Sequence, residues 1–263
     1  MKGVPVLFSS GTRNAILAAA CFGAVASTYS QPIPPSTAIP VVLTRSVAAG
    51  QSKPGDVVSA KTIQTVFFPD GHVLPAGTAL TGHVVASVPI VFDSTPYATQ
   101  NPSVLSIHFD SIAANGSTIP VILSARAIAG PVASHEATIP RYADESDWSG
   151  TLILIGGETT APLERTVQSS AGDATGYKRK EGIFARLLSA SSINPDSDAR
   201  CEATNTEQSV GIFSADACGA YGLNTVSLIG NGIGQDGTFV LESHQRSVQL
   251  YAGTTALLQV MPL

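Results

Sequence analysis

Hydrophobic and polar residues alternate in short runs along the first half of the chain. Ile39–Val47 and Val57–Phe68 are rich in β-branched residues, a composition that favours strands. Thr78–Val88 places Leu80 and Val84 on one face and polar residues such as His83 on the other. This period of two predicts half-buried β-strands.

The clearest hairpin follows a loop predicted for Pro89–Pro102. Its arms are Leu105–Asp110 and Ile119–Ala125, and Asn115-Gly116 between them favours a tight turn. One face of this antiparallel pair is expected to contact the core, while the other faces water.

The middle of the chain is more polar. Pro131–Ser149 is predicted to be an exposed loop, and Thr151–Ile155 a short buried strand. Thr166–Lys180 is expected to be mobile. Glu181–Ser189 has apolar residues at helical spacing, but at this length an amphipathic helix and a strand both fit.

Four short strands close the chain, separated by Gly or Ser turns: Thr225–Ile229, Thr238–Ser243, Ser247–Tyr251 and Ala256–Met261. The predicted fold is therefore all-β, a single β-barrel or two-sheet sandwich of short antiparallel strands with a polar, partly irregular insertion. Its predicted parts are N-terminal strands at 39–130, the insertion at 131–208 and closing strands at 209–263. A Pro-rich linker at 27–38 precedes them.

Composition agrees with this prediction. The 263 residues include 24 Gly and 17 Pro, and only 13% are charged. Outside the first 26 residues, 12 basic and 19 acidic residues give a net charge of −7. Because nucleic-acid binding needs a concentrated basic surface, it is not expected.

The first 26 residues resemble a signal peptide. Lys2 and Arg13 precede the short apolar run Ala15–Gly23, and Ala24-Val25-Ala26 matches a small-residue cleavage site. Cleavage is predicted between Ala26 and Ser27. A lipoprotein box ending at Cys21 is an alternative, although the usual Leu is missing. No later segment is predicted to span a membrane, so the protein is expected in the periplasm, at the outer membrane or outside the cell.

Removal of the signal peptide leaves two cysteines, Cys201 and Cys218. An even number of cysteines in an exported chain favours a disulfide, which we predict here. A metal site is not favoured, because no His lies between Arg141 and Ser243.

Motifs for catalysis or cofactor binding are weak. Gly232–Gly237 matches G-x-G-x-x-G, but the β-type run Thr238–Leu241 follows it, whereas a dinucleotide site requires a helix. Neither a G-x-S-x-G elbow nor an H-E-x-x-H helix occurs. We predict no cofactor and no catalytic residues.

Other polar residues fit a solvated surface better than a site. His108 and Asp110 would face solvent on one strand, and His72 and His83 are also predicted to lie on strand surfaces. His135 and Glu136 with Asp144, Glu145 and Asp147 offer oxygen ligands for a divalent cation, but their spacing fits a solvated acidic loop better.

Two segments resemble known families. The order of strands and turns in Ile39–Ala127, centred on Leu74-Pro75-Ala76-Gly77-Thr78, resembles the β-barrel module of the type IV secretion (conjugation) core-complex family. That resemblance implies a periplasmic or outer-membrane-associated assembly domain without enzymatic activity. Ser209–Gly222 is similar to a stretch in uncharacterised secreted bacterial proteins, which implies a buried strand entering a disulfide-tied corner.

The sequence therefore favours an exported, non-catalytic envelope protein that binds or assembles with other envelope proteins. The alternative is a secreted hydrolase that uses acidic residues such as Asp144 or Asp147.

Overall fold

The computed structural model describes Gly3 and residues 33–114, 116–141, 150–189, 201–229 and 237–262. All of the described strands and helices lie in one compact unit, Pro32–Leu263. No helix in these ranges is long and apolar enough to cross a bilayer.

The described part of the chain is nearly all β. In chain order, its strands are β1 (Ala38–Leu43), β2 (Val47–Ala48), β3 (Val57–Thr62), β4 (Val66–Phe67), β5 (Val73–Leu74), β6 (Ala79–Val88), β7 (Ser103–Ala114), β8 (Ser117–Pro120), β9 (Leu123–Ala129), β10 (Leu152–Ile153), β11 (Thr159–Thr160), β12 (Thr166–Gln168), β13 (Ala174–Arg179), β14 (Gly182–Arg186), β15 (Glu207–Ser209), β16 (Gly219–Tyr221), β17 (Ser227–Ile229), β18 (Phe239–Ser243), β19 (Gln249–Leu250) and β20 (Thr255–Val260). The helices are α1 (Pro131–Glu136) and a 3₁₀ turn at Tyr97–Thr99.

A ten-stranded sheet curls into a nearly closed barrel. Neighbouring strands follow the order β16-β9-β20-β1-β3-β6-β7-β18-β17. Strand β8 pairs with the C-terminal part of β7. The terminal strands β16 and β17 contact each other, which brings the two edges together. The pairs are antiparallel except β16–β9, which is parallel. The predicted all-β, barrel-type fold is confirmed.

The barrel is filled by the inward side chains of its strands. Ile39, Leu105, Ile107, Phe109 and Leu241 are among the fully buried members of this core. Phe109 and Phe239 stack across β7 and β18 with ring centroids 6.3 Å apart. In the period-two pattern of the sequence, the apolar residues therefore point into the barrel and the residues between them point outward.

The insertion is more regular than its polarity predicts. Strands β10 to β15 form a six-stranded antiparallel sheet in sequence order. The segment expected to be mobile, Thr166–Lys180, supplies β12 and β13. Of the two alternatives for Glu181–Ser189, the structure has the strand β14, in which Phe184 pairs with Tyr177 and Ser209.

The loop predicted for Pro131–Ser149 is wrong at its start, where α1 forms. Pro131 occupies the first turn, where its missing N–H costs nothing. Ser134 is buried, donating to the Gly130 carbonyl at 2.9 Å and lying 2.7 Å from Thr255 Oγ1. Residues 142–149 lie outside the described ranges.

The insertion packs on the outside of one half of the barrel wall. A second core joins outward residues of β1, β9 and β20, such as Ala38, Ala127 and Leu257, to Ile155 and Leu187 of the insertion. Strands β1, β9 and β20 are therefore buried on both faces. Strands β3, β6 and β7 keep exposed or half-buried residues on their outer side.

Candidate functional site

The outer side of β3, β6 and β7, which we term the open face, is a part of the barrel wall that the described residues of the insertion leave uncovered. It presents Val57, His83, Val85, His108 and Asp110. Val57 and Val85 are 61% and 42% exposed. The prediction that His108 and Asp110 would face away from buried Ile107 and Phe109 agrees with this arrangement.

Two histidines and one carboxylate meet at the centre of the open face. His83 and His108 are directly opposed partners on β6 and β7, with ring centroids 5.5 Å apart. His83 Nδ1 lies 2.9 Å from Asp110 Oδ2, and His108 Nε2 lies 3.7 Å from Asp110 Oδ1. Sequence reasoning placed these three residues on the surface but did not bring them together.

Backbone irregularities flank this cluster. The β6–β7 register shifts between Thr81 and Gly82 and again between Val84 and Ala86. A Cβ atom added at Gly82 would lie 2.2 Å from the His108 carbonyl oxygen, so only glycine permits the close approach of the two strands. Such bulges re-aim side chains, and here they flank the pair of histidines.

A second exposed feature is the β6–β7 connection, Pro89–Pro102, which we term the apolar loop. Val91, Phe92 and Tyr97 are 67%, 61% and 56% exposed on it. Large apolar side chains clustered on an exposed loop are typical of an interaction surface.

Several hydrogen bonds brace the apolar loop. The Thr95 N–H donates to Asp93 Oδ1 at 2.7 Å, and Gln100 Nε2 donates to the Thr95 carbonyl at 2.9 Å. The hydrogen bonds that the Thr95 side chain and N–H donate to the Asp93 carboxylate hold the pKa of Asp93 below its usual range. At the base of the loop, the Ile90 N–H donates to Ser247 Oγ. A braced loop loses less conformational entropy on binding than a free one.

The other predicted polar groups do not form a site within the described residues. His72 contacts Asp70 at 3.0 Å in an exposed hairpin, and its hydrogen bonds lower the pKa of that carboxyl. His135 and Glu136 lie on α1, whereas Asp144, Glu145 and Asp147 are outside the described residues. In the ranges that are described, no group of three or more His, Cys, Asp or Glu side chains is placed so that it could hold a metal ion.

The glycine motif Gly232–Gly237 also falls mostly outside the described ranges, which omit residues 230–236. Its last residue, Gly237, has φ +71° and leads into the strand β18 rather than a helix. The observed strand agrees with the sequence argument against a dinucleotide site.

An apolar cavity of about 200 Å³ lies beside Ile33 and Pro35. Its wall also includes Val121, Ile122 and Met261. The described residues that line this cavity include no ionisable side chain.

Cys201 and Cys218 lie at disulfide distance, with Cα atoms 6.1 Å apart and a sequence separation of 17, which fits the geometry that a disulfide requires. Both oxidation to a disulfide and the predicted cleavage between Ala26 and Ser27 stay predictions. The cleavage site and Cys21 are outside the described residues.

A buried arginine beside the cysteine pair was missed by sequence reasoning. Arg126 is 0% exposed and is the extra residue where β9 shifts register against β20. Its guanidinium donates to the main-chain carbonyls of Leu188, Glu202, Ala215 and Ala217. Burial lowers the pKa of Arg126 to about 10, so the side chain remains a cation at neutral pH.

Comparisons of the chain with known protein families, functionally characterised proteins and solved structures find no match.

Proposed function

We propose that the protein is an exported, non-catalytic envelope protein that binds another envelope protein through the apolar loop and the adjoining open face. The observation that carries this proposal is the exposure of Val91, Phe92 and Tyr97 on a loop held by its own hydrogen bonds. Large apolar side chains gain free energy when a partner removes them from water.

Charge favours a protein partner over a nucleic acid or an anionic lipid surface. The chain after residue 26 carries a net charge of −7, which would repel phosphate groups. The open face adds the exposed side chains of Val57 and Val85 to the apolar surface. Aromatic and apolar residues with few charges are typical of the centre of a protein interface.

The sequence resemblance suggests which kind of protein the partner is. Residues 39–127 resemble an assembly module of the type IV secretion core complex, so we propose that the partner is a neighbouring subunit of an envelope assembly. The signal-peptide pattern supports a location in the periplasm, at the outer membrane or outside the cell.

Photocrosslinking from a single position tests this proposal. Benzoylphenylalanine placed at Phe92 in the protein expressed in its own cells should form one defined adduct with an envelope protein. The matched control is Leu163, which is 90% exposed but lies outside the apolar loop and open face. Equal adducts from both positions, or none from Phe92, would contradict the proposal.

Binding measurements with the purified partner show how much Phe92 contributes to the affinity. Burial of a large apolar side chain contributes about 1.5–3 kcal/mol, and each 1.4 kcal/mol is tenfold in affinity. Phe92→Ser should therefore weaken binding roughly 10- to 100-fold, while Leu163→Ser leaves it unchanged. A hydrolysis product that disappears in Asp144→Asn or Asp147→Asn, with no partner found, would favour the hydrolase instead.

A further inference from the structure

We propose that the apolar cavity beside Ile33 binds the end of an uncharged alkyl chain. The cavity lies where three neighbouring strands share one end of the barrel, because β1 and β9 begin there and β20 ends there. Its volume is about 200 Å³. Sites for small apolar molecules are found preferentially in concave surfaces such as the mouths of β-barrels.

The wall of the cavity is aliphatic. Ile33, Val121 and Val260 form its buried part and belong to the barrel core. Pro120 is exposed and Met261 is half-buried, so they lie nearer the opening. The described residues of the lining carry neither an aromatic ring nor a charge. A flexible aliphatic chain therefore suits this cavity better than a flat or ionic ligand.

Main-chain donors around the cavity are already paired. The N–H groups of Val121, Val260 and Met261 donate to main-chain carbonyls at 2.9–3.2 Å. Two further lining residues are prolines, which have no N–H. A buried water typically needs two to four polar partners, and these five positions offer it no donor. The cavity therefore favours an apolar occupant over water.

The volume sets the length of chain that fits. An engineered apolar cavity of about 150 Å³ stays dry and binds benzene. A cavity of about 200 Å³ therefore holds a slightly larger ligand, an alkyl segment of about six to eight carbons. Because exposed Pro35 and Pro120 lie in the wall, a longer chain can leave its polar end in water.

The cavity is separate from the surface proposed to bind a protein. The apolar loop joins the end of β6 to the start of β7, and the strand pairing places this junction at the opposite end of the barrel from the cavity. Failure of alkyl-chain binding would therefore leave the crosslinking experiment unaffected.

The test is calorimetric titration of the purified protein with straight-chain alcohols from hexan-1-ol to decan-1-ol. Neutral alcohols are the probe because the negative net charge of the protein would repel a fatty-acid carboxylate. We expect one equivalent to bind with a negative heat-capacity change. The affinity should rise about fourfold for each added methylene and level off at about eight carbons, when the cavity is full.

Variants of the wall locate the site. Ile122→Trp should abolish binding of octan-1-ol, because the indole fills the cavity. The matched control is Ile229→Trp, since Ile229 is also half-buried but lies in β17, outside the lining. Met261→Gln keeps the side-chain length but adds an amide that must lose water when the ligand enters, so binding should weaken roughly 2- to 30-fold. Far-ultraviolet circular dichroism verifies that each variant folds, and Met261→Gln keeps the test valid if Ile122→Trp does not.

Three outcomes would overturn the proposal. The first is a wild-type protein that binds no alcohol, as expected if another part of the chain fills the cavity. The second is an affinity that rises by the same factor up to decan-1-ol, as on an open apolar surface. The third is an equal effect of Ile122→Trp and Ile229→Trp, or wild-type binding by a folded Met261→Gln variant.

Discussion

Replacement of Arg126 by Met should destabilise the protein more than any other single arginine substitution among the described residues. Methionine fills a similar volume but donates no hydrogen bond. Four main-chain carbonyls that now accept from the guanidinium, those of Leu188, Glu202, Ala215 and Ala217, would lose that donor.

The magnitude follows from burial. Each buried acceptor left without a partner costs about 1–3 kcal/mol, although water entering a loosened insertion would satisfy some of them. With four carbonyls affected and some of them satisfied by water, we expect a net loss of about 4 kcal/mol. Since a domain is stable by roughly 5–15 kcal/mol, this is a large fraction of the total.

Urea denaturation followed by circular dichroism measures the loss. With a slope of about 2 kcal/mol per molar urea, the midpoint should fall by about 2 M. The control is Arg141→Met, because Arg141 is 59% exposed and its contact with Glu136 is 3.9 Å long. An exposed pair of this kind contributes about 0–1 kcal/mol. Equal midpoints for the two variants would refute the assignment of Arg126 as a structural centre.

Two further predictions concern the same region. Cys201→Ser with Cys218→Ser should lower the free energy of unfolding by about 3 kcal/mol for a closed loop of this length, measured by urea denaturation. Alkylation of two thiols in the unreduced mature protein would contradict the disulfide. Burial raises the pKa of Tyr221 above its usual value of 10.0, so the folded state holds this proton more tightly than the unfolded state. The resulting stability is present below pH 10 and is lost as pH rises through the folded pKa. Tyr221→Phe should therefore reduce the loss of stability above pH 10, and an unchanged slope there would refute this.

The barrel could be predicted from sequence because its signal is local. Residues such as Leu105, Ile107 and Phe109 alternate with polar neighbours, and this pattern alone decides which side faces the core. The insertion lacked that signal. Its strand β13 reads Ala-Thr-Gly-Tyr-Lys-Arg, which has little hydrophobic alternation, and its strands are stabilised by pairing with each other and by packing on the barrel.

From the sequence, His83, His108 and Asp110 could each be predicted to lie on the surface, but their contact with one another could not be predicted. His83 and Asp110 are 27 positions apart, and their contact depends on the β6–β7 register together with the bulges on both sides of His83. A bulge shifts which residues oppose each other and leaves no clear mark in the sequence. Arg126 was missed for a related reason. An arginine in an apolar strand is predicted to be buried only when the hydrogen-bond partners of its guanidinium are known, and the sequence does not show them.

The position of the insertion explains where a binding surface can lie. It covers the outer side of β1, β9 and β20. Arg126 of β9 links the barrel to this region, because it donates to the carbonyls of Glu202 and Ala217. These two residues are next to Cys201 and Cys218. A barrel wall covered in this way cannot bind a partner without displacing a buried core. The opposite half, β3, β6 and β7, has no such cover within the described residues. Its exposed valines, its histidine pair and the apolar loop at the end of β6 therefore lie on a side of the barrel that the described part of the chain leaves accessible.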